Sequence, residues 1–259
     1  MVLALLFLLG VANLLAPRAV QRLLAGSTAT PVASPTFAPP KAAIVDQTGF
    51  SFPSPEFMAQ AQKYLEEAGY VVDVYPPEEV TVDFFTTLPD RGYRLILFQT
   101  HATSEVLLEG GGDVSQYEPS PGPFLFTTEL YEMHRYIRLQ MDDQLRASKL
   151  FYEDSPRLFA LGPKFVQSSM NGFFLDTVII IGGCQSLAEP DLAEAFLERG
   201  ASLVIGWDDM VDLSHNNESM LHLLQSMTVE GLSPQEAVEA ARAEIGSDPT
   251  YGSSLAYLP

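Results

Sequence analysis

Cys184 is the only cysteine in a chain of 259 residues, and it stands where an apolar run gives out into small residues, Thr177-Val-Ile-Ile-Ile-Gly-Gly-Cys184. A second apolar run, Tyr93-Arg-Leu-Ile-Leu-Phe-Gln-Thr-His101, ends on a histidine in the same manner. Buried strands of a parallel sheet read as short continuous apolar runs, and ligand chemistry gathers at their carboxyl ends. Two such strands side by side bring a thiol and an imidazole to one rim, the pairing that activates a sulfur nucleophile. A buried core cysteine is the competing reading of Cys184; the matching strand-end position of His101 weighs against it. A single cysteine also excludes an intramolecular disulfide.

The flanking pattern supplies elements to position the pair. Short apolar runs at 42–46, 70–75, 93–100, 177–181 and 202–206 predict five strands. Helical spacing predicts helices over 56–68, 80–88, 191–199, 217–230 and 233–245. The last opens with Ser233-Pro234-Gln-Glu236, a capping box with proline at the first helical position. Between the histidine and the cysteine the pattern is less regular. Residues 107–123 read as a long Gly/Pro/Ser-rich loop, 124–126 as a small strand and 128–149 as a mixed-charge helix. Strands alternating with helices imply βαβ units, so the expected fold is α/β, a mostly parallel sheet of about five to six strands with helices on both faces.

Composition narrows the function. The 14 basic and 33 acidic residues give a net charge of −19, which argues against a nucleic-acid partner, because phosphate binding rests on Lys and Arg. No metal or cofactor motif stands out. His215 and His222 lie seven apart but lack the matching Cys or Glu spacing of a zinc site. His134 falls within the expected 128–149 helix as a solvated or core residue. Gly110-Gly-Gly112 lacks the Lys-Ser/Thr of a phosphate loop and reads as a flexible flap near the His101 rim.

The amino terminus is set apart. Residues 2–16 are almost wholly apolar, shorter than the ~20 of a spanning helix and the size of a signal-peptide core. No basic residue precedes them; Arg18 and Arg22 follow, which on the positive-inside rule favours a cytoplasmic domain. The Ser/Thr/Pro-rich stretch after them resembles the spacers that follow export signals. The expectation is a signal or membrane anchor over 1–25, a linker over 26–40 and one catalytic domain over 41–259. The protein would be anchored through residues 2–16 or exported, with an extracytoplasmic location favoured over a cytoplasm-facing anchor.

A hydrophobic block ending in histidine, followed by one ending in Gly-Cys, resembles the signature of the caspase-like cysteine peptidases, which include caspases, metacaspases, legumains, clostripain and gingipains. The bacterial gingipain-type branch is also resembled by Leu192-Ala-Glu-Ala-Phe-Leu-Glu-Arg-Gly-Ala-Ser-Leu-Val-Ile-Gly-Trp207, a helix and strand leading to Gly-Trp after the nucleophile. The likeness spans about residues 41–245 and implies a three-layer sandwich and a peptide or protein substrate. Cys184 would attack the peptide carbonyl, His101 would act as general acid and hold the thiol ready as an imidazolium, and the N–H groups of Cys184 and Ala102 would hold the oxyanion. The family usually has glycine after the histidine; Ala102 keeps the N–H but disfavours a positive φ.

In relatives the pocket for the side chain before the scissile bond forms near the end of strand 1, near the nucleophile and after strand 5. The resemblance therefore implies a pocket of Asp46, Asp208 and Asp209 walled by Trp207, favouring Arg or Lys. Gly182 stands where several relatives carry a specificity side chain. Asp46 could instead cap a turn through Gln47-Thr-Gly49, Asp208 the next helix, and Trp207 could be core. Arg146, Lys149 and Arg157 mark a region that is cut for activation in relatives. Two other readings stay open: a caspase-like scaffold without activity, for which Ala102 is the best argument, and an α/β-hydrolase with a cysteine nucleophile. The hydrolase would use His215 or His222, and Ser186 stands where its nucleophile elbow wants glycine.

Overall fold

The computed structural model describes residues 38–104, 122–150, 152 and 154–259. Every element below belongs to the unit Pro39–Pro259. The expected anchor at 1–25, nearly all of the linker and the glycines at 110–112 lie outside the described residues.

In chain order the strands are β1 (Lys41–Asp46), β2 (Val71–Tyr75), β3 (Leu95–Gln99), β4 (Ala102–Thr103), β5 (Phe124–Leu130), β6 (Leu145–Lys149), β7 (Arg157–Leu161), β8 (Thr177–Gly182), β9 (Ala201–Trp207) and β10 (Leu255–Leu258). The helices are α1 (Pro55–Glu67), α2 (Val82–Thr87), α3 (Ile137–Met141), α4 (Pro163–Ser169), α5 (Asp191–Glu198), α6 (Leu213–Thr228) and α7 (Pro234–Glu244). Six strands make the main sheet in the order β10-β9-β8-β3-β1-β2, parallel throughout except for β10. It is an α/β architecture with helices on both faces.

The unbroken apolar runs follow from that burial. Side chains alternate across a strand, so Ile44, Leu97, Ile180 and Ile205 pack under α1, α6 and α7. Val45, Phe98, Ile181 and Val204 face α2, α4 and α5. On that second face Phe98 lies between Phe85 of α2 and Phe196 of α5, at centroid separations of 5.7 and 6.3 Å. Each such fully buried ring stabilises the fold by about 1.5–3 kcal/mol. The capping box of α7 forms as expected, with Ser233 accepting from the Glu236 N–H and Glu236 accepting from the Ser233 N–H.

The segment between histidine and cysteine departs from expectation. Instead of a helix over 128–149 it forms strand β5, the one-turn helix α3 and strand β6, which join β4 and β7 in a second, antiparallel sheet ordered β4-β5-β7-β6. Left-handed residues Tyr136 and Asp143 (φ 53° and 55°) bound the short helix and prevent its extension. The mixed charge that looked like a solvated helix face includes a buried bidentate pair, Arg146 to Asp143 at 2.7 and 2.8 Å, with the guanidinium over the Phe124 ring. Arg146, Lys149 and Arg157 thus lie in paired strands, a poor site for activating cleavage, which needs an extended segment free of its sheet. His134 lies exposed ahead of α3. Among the described residues no helix is long and apolar enough to cross a membrane.

Candidate active site

The register of the central strands sets the site. Gln99 of β3 pairs with Gly182 of β8, so His101 and Cys184 each lie two residues beyond one shared row, on strands about 4.8 Å apart. Both line a single cavity of about 210 Å³ at the carboxyl end of the sheet.

Two glycines let the strand ends meet. A Cβ on Gly183 would overlap the carbonyl oxygen of Thr100, and one on Gly182 would come within 2.8 Å of Gln99 Oε1. Beyond Cys184 the chain is tied down by backbone: the Gln185 N–H donates to the Asp209 carbonyl (2.9 Å) and the Leu187 N–H to the Trp207 carbonyl (2.8 Å). Ser186, fully buried, donates to the Ile181 carbonyl and accepts from the Trp207 N–H. Gln185, at φ 55°, makes the left-handed turn out of the strand.

Side chains play the larger part in holding His101, beside a main-chain bond from the Phe126 N–H to its carbonyl. Gln47, fully buried after β1, accepts from the His101 N–H through Oε1 (2.9 Å) and donates through Nε2 to the Thr127 carbonyl (3.2 Å). Ser51 Oγ lies 3.0 Å from His101 Nε2 and 3.4 Å from the Thr48 carbonyl. If the Ser51 hydroxyl donates to Thr48, it accepts from Nε2–H and the lone pair lies on Nδ1. Phe52 and Phe126 pack edge-on to the ring at 5.8 and 6.0 Å. Burial lowers the His101 pKa from 6.5 to about 4.

Burial also pushes the Cys184 thiol above its usual range, and the charges of Asp248 and Asp209 push the same way. Sγ lies 3.6 Å from the Val211 carbonyl. Burial thus favours the neutral form of both groups, which works against the imidazolium expected to lower the thiol pKa.

Ala102 lies in the extended strand β4 and has no positive φ, so alanine in the usual place of glycine introduces no strain. Phe126 N–H bonds to the His101 carbonyl (3.0 Å), which with the Ala102–Leu125 register makes Ala102 a non-hydrogen-bonded partner of β5. Its N–H is thus not used by that ladder.

The expected pocket residues fare differently. Asp46 Oδ1 accepts from the Gly49 N–H (2.8 Å) and Thr48 Oγ1 (3.4 Å), capping the turn after β1, and does not line the cavity. Burial raises its pKa. Trp207 is fully buried on the α6 side of the sheet and donates from Nε1 to Asn216 Oδ1 (2.9 Å). Asp208 accepts from the Ser254 N–H (2.7 Å) and donates its own N–H to the Ser254 carbonyl, extending the β9–β10 pairing. Asp209 accepts from the Met210 N–H (2.8 Å), and only its charge reaches the thiol. Asp46 thus serves a turn, while Asp208 and Asp209 are exposed and each uses one carboxylate oxygen locally.

The walls come from residues with no local sequence signal: Phe52, Met210, Val211, Leu213 and Tyr251, beside Thr48, Thr100, Asn216 and the exposed Asp212. His215 packs on Trp207 and His222 bonds to Glu244 of α7. Neither lines the cavity, and the turn after Cys184 does not lead directly into a helix, so the geometry gives no support to a nucleophile elbow. The chain matches no protein-family model and no curated protein.

Proposed function

We propose that this protein is a cysteine endopeptidase of the caspase-like kind, using Cys184 as nucleophile and His101 as proton carrier. The observation that carries this reading is the meeting of the chain's one thiol and a buried imidazole in one cavity, each two residues past the same row of paired strands.

In this mechanism the neutral thiol gives its proton to His101 Nδ1 as sulfur bonds to the substrate carbonyl carbon. The oxyanion takes hydrogen bonds from the N–H groups of Cys184 and Ala102. Imidazolium Nδ1–H then protonates the departing amine as the C–N bond breaks, leaving a thioester. Water adds to the thioester with His101 as base, and the thiol leaves with the proton. Ser51 keeps Nε2 occupied throughout, so that Nδ1 is the nitrogen that exchanges protons. The Arg or Lys preference is left out of this reading, since Asp46, Asp208 and Asp209 do not line the cavity among the described residues.

The test is turnover of fluorogenic peptides by the full chain, with Cys184→Ala as the blank. Cysteine-dependent cleavage supports the peptidase. No turnover, together with a Cys184 inert to peptidyl acyloxymethyl ketones, would leave the scaffold reading.

A further inference from the structure

The space beside the thiol has a chemical character of its own. Its walls are Phe52, Met210, Val211, Leu213 and Tyr251, and three of them stay open to solvent at the mouth: Phe52 at 36%, Met210 at 36% and Tyr251 at 48% exposed. Large apolar side chains left exposed around a concavity mark a surface made to be covered.

The polar groups at its floor are already engaged. Asn216 accepts from Trp207 Nε1 and donates to Gln99 Oε1 (3.2 Å). Thr100 Oγ1 donates to the His101 carbonyl at 3.0 Å. Among the described residues the one carboxylate in the lining, Asp212, is exposed at the rim and caps α6, accepting at Oδ1 from the Ser214 N–H (2.8 Å) and Oγ (2.5 Å). A guanidinium or ammonium entering this space would shed water against mainly apolar walls, and the lining carboxylate among the described residues, Asp212, stands out at the rim.

We propose that the cavity binds an uncharged apolar side chain, of the leucine, methionine or phenylalanine class, on the residue whose carbonyl Cys184 attacks. This specificity rests on the peptidase reading, and it replaces the basic preference expected from the sequence. Binding covers the exposed faces of Phe52, Met210 and Tyr251, and that burial provides the discrimination.

The experiment compares kcat/KM of the full chain for matched fluorogenic peptides carrying Leu, Phe, Arg, Lys or Asp before the scissile bond. Leu and Phe peptides are expected to exceed Arg and Lys peptides at least tenfold. The companion variant is Leu213→Asp, which adds a carboxylate to the wall at the first residue of α6, where an acidic side chain suits the helix terminus. It is expected to shift the Arg-to-Leu ratio towards Arg by tenfold or more. Equal or faster cleavage after Arg or Lys by the unaltered protein overturns the specificity and leaves the peptidase intact. So does a folded, active Leu213→Asp protein whose ratio is unmoved. Failure of the peptidase reading has a different signature: no peptide is cleaved and Cys184 is labelled by neither Leu-type nor Arg-type acyloxymethyl ketones, which takes the specificity with it.

Discussion

The two strand ends that bear the reacting groups are held in opposite ways. The Cys184 end is fixed by main chain: two glycines permit contact with the neighbouring strand, and three successive residues beyond the sulfur are tied to β9, its following turn and β8. The His101 end has a main-chain bond from the Phe126 N–H, but its position rests chiefly on side chains from the loop after β1, Gln47 on its backbone and Ser51 on its ring. A main-chain frame has few intermediate states, so its disruption is abrupt. A side-chain frame can be weakened one hydrogen bond at a time. Cys184 thus sits in the less forgiving half of the site.

That contrast is tested most severely by Gly183→Ala. The new methyl group has only the Thr100 carbonyl to push against, so the strand ends must separate. A loss of about 1–3 kcal/mol in unfolding free energy is expected from overpacking, and a shift near 1 Å at the nucleophile lowers turnover by about 100-fold. Denaturant unfolding and peptide kinetics on the same variant check both.

Next in size is the response to pH. His101 has a folded pKa of about 4 against 6.5 in the ordinary state. Between those values the unfolded chain binds more protons, so stability is present above pH 6.5 and is lost as pH falls towards 4. The largest possible loss is about 3 kcal/mol. His101→Asn should remove that slope from stability measured across pH 4–7. A slope that survived intact would place its origin elsewhere. Activity should hold across neutral pH and fall as the thiol ionises in alkaline solution, because its proton is the one passed to the leaving amine, with no limb near 6.5 from the free enzyme.

Smaller effects separate the two side-chain supports. Gln47→Leu leaves the His101 N–H and the Thr127 carbonyl without their partner in a fully buried position, which costs about 2 kcal/mol of stability. Ser51→Ala removes only the ring anchor. Its expected effect is a fall in kcat of about tenfold, corresponding to about 1.4 kcal/mol, with KM and the unfolding midpoint little changed. Ser51→Thr, which keeps a hydroxyl, should recover part of kcat.

What the sequence made readable follows from the same physics. Strands β1, β3, β8 and β9 are buried on both faces, so their apolar runs are unbroken, and α7 carries its own start signal. The second sheet was hidden because β6 spends a buried position on Arg146, whose pairing with Asp143 and Phe124 is invisible to a hydropathy pattern. At the site, Cys184 and His101 were legible as strand ends. Their supports were not, since Gln47 and Ser51 lie 54 and 50 residues from His101 and nothing local relates them. Asp46 fills a turn-capping role that an aspartate after a strand serves as readily as a substrate pocket, so the sequence could not tell the two apart.

The enclosure of Cys184 has a consequence for the chemical lifetime of the protein. Peroxide and disulfides react with the thiolate, and a sulfur whose pKa is raised by burial spends little time in that form at neutral pH. With no second cysteine in the chain to form a protective intramolecular disulfide, a sulfenic acid at this position would be exposed to irreversible over-oxidation. A proton kept on sulfur makes Cys184 slow to oxidise.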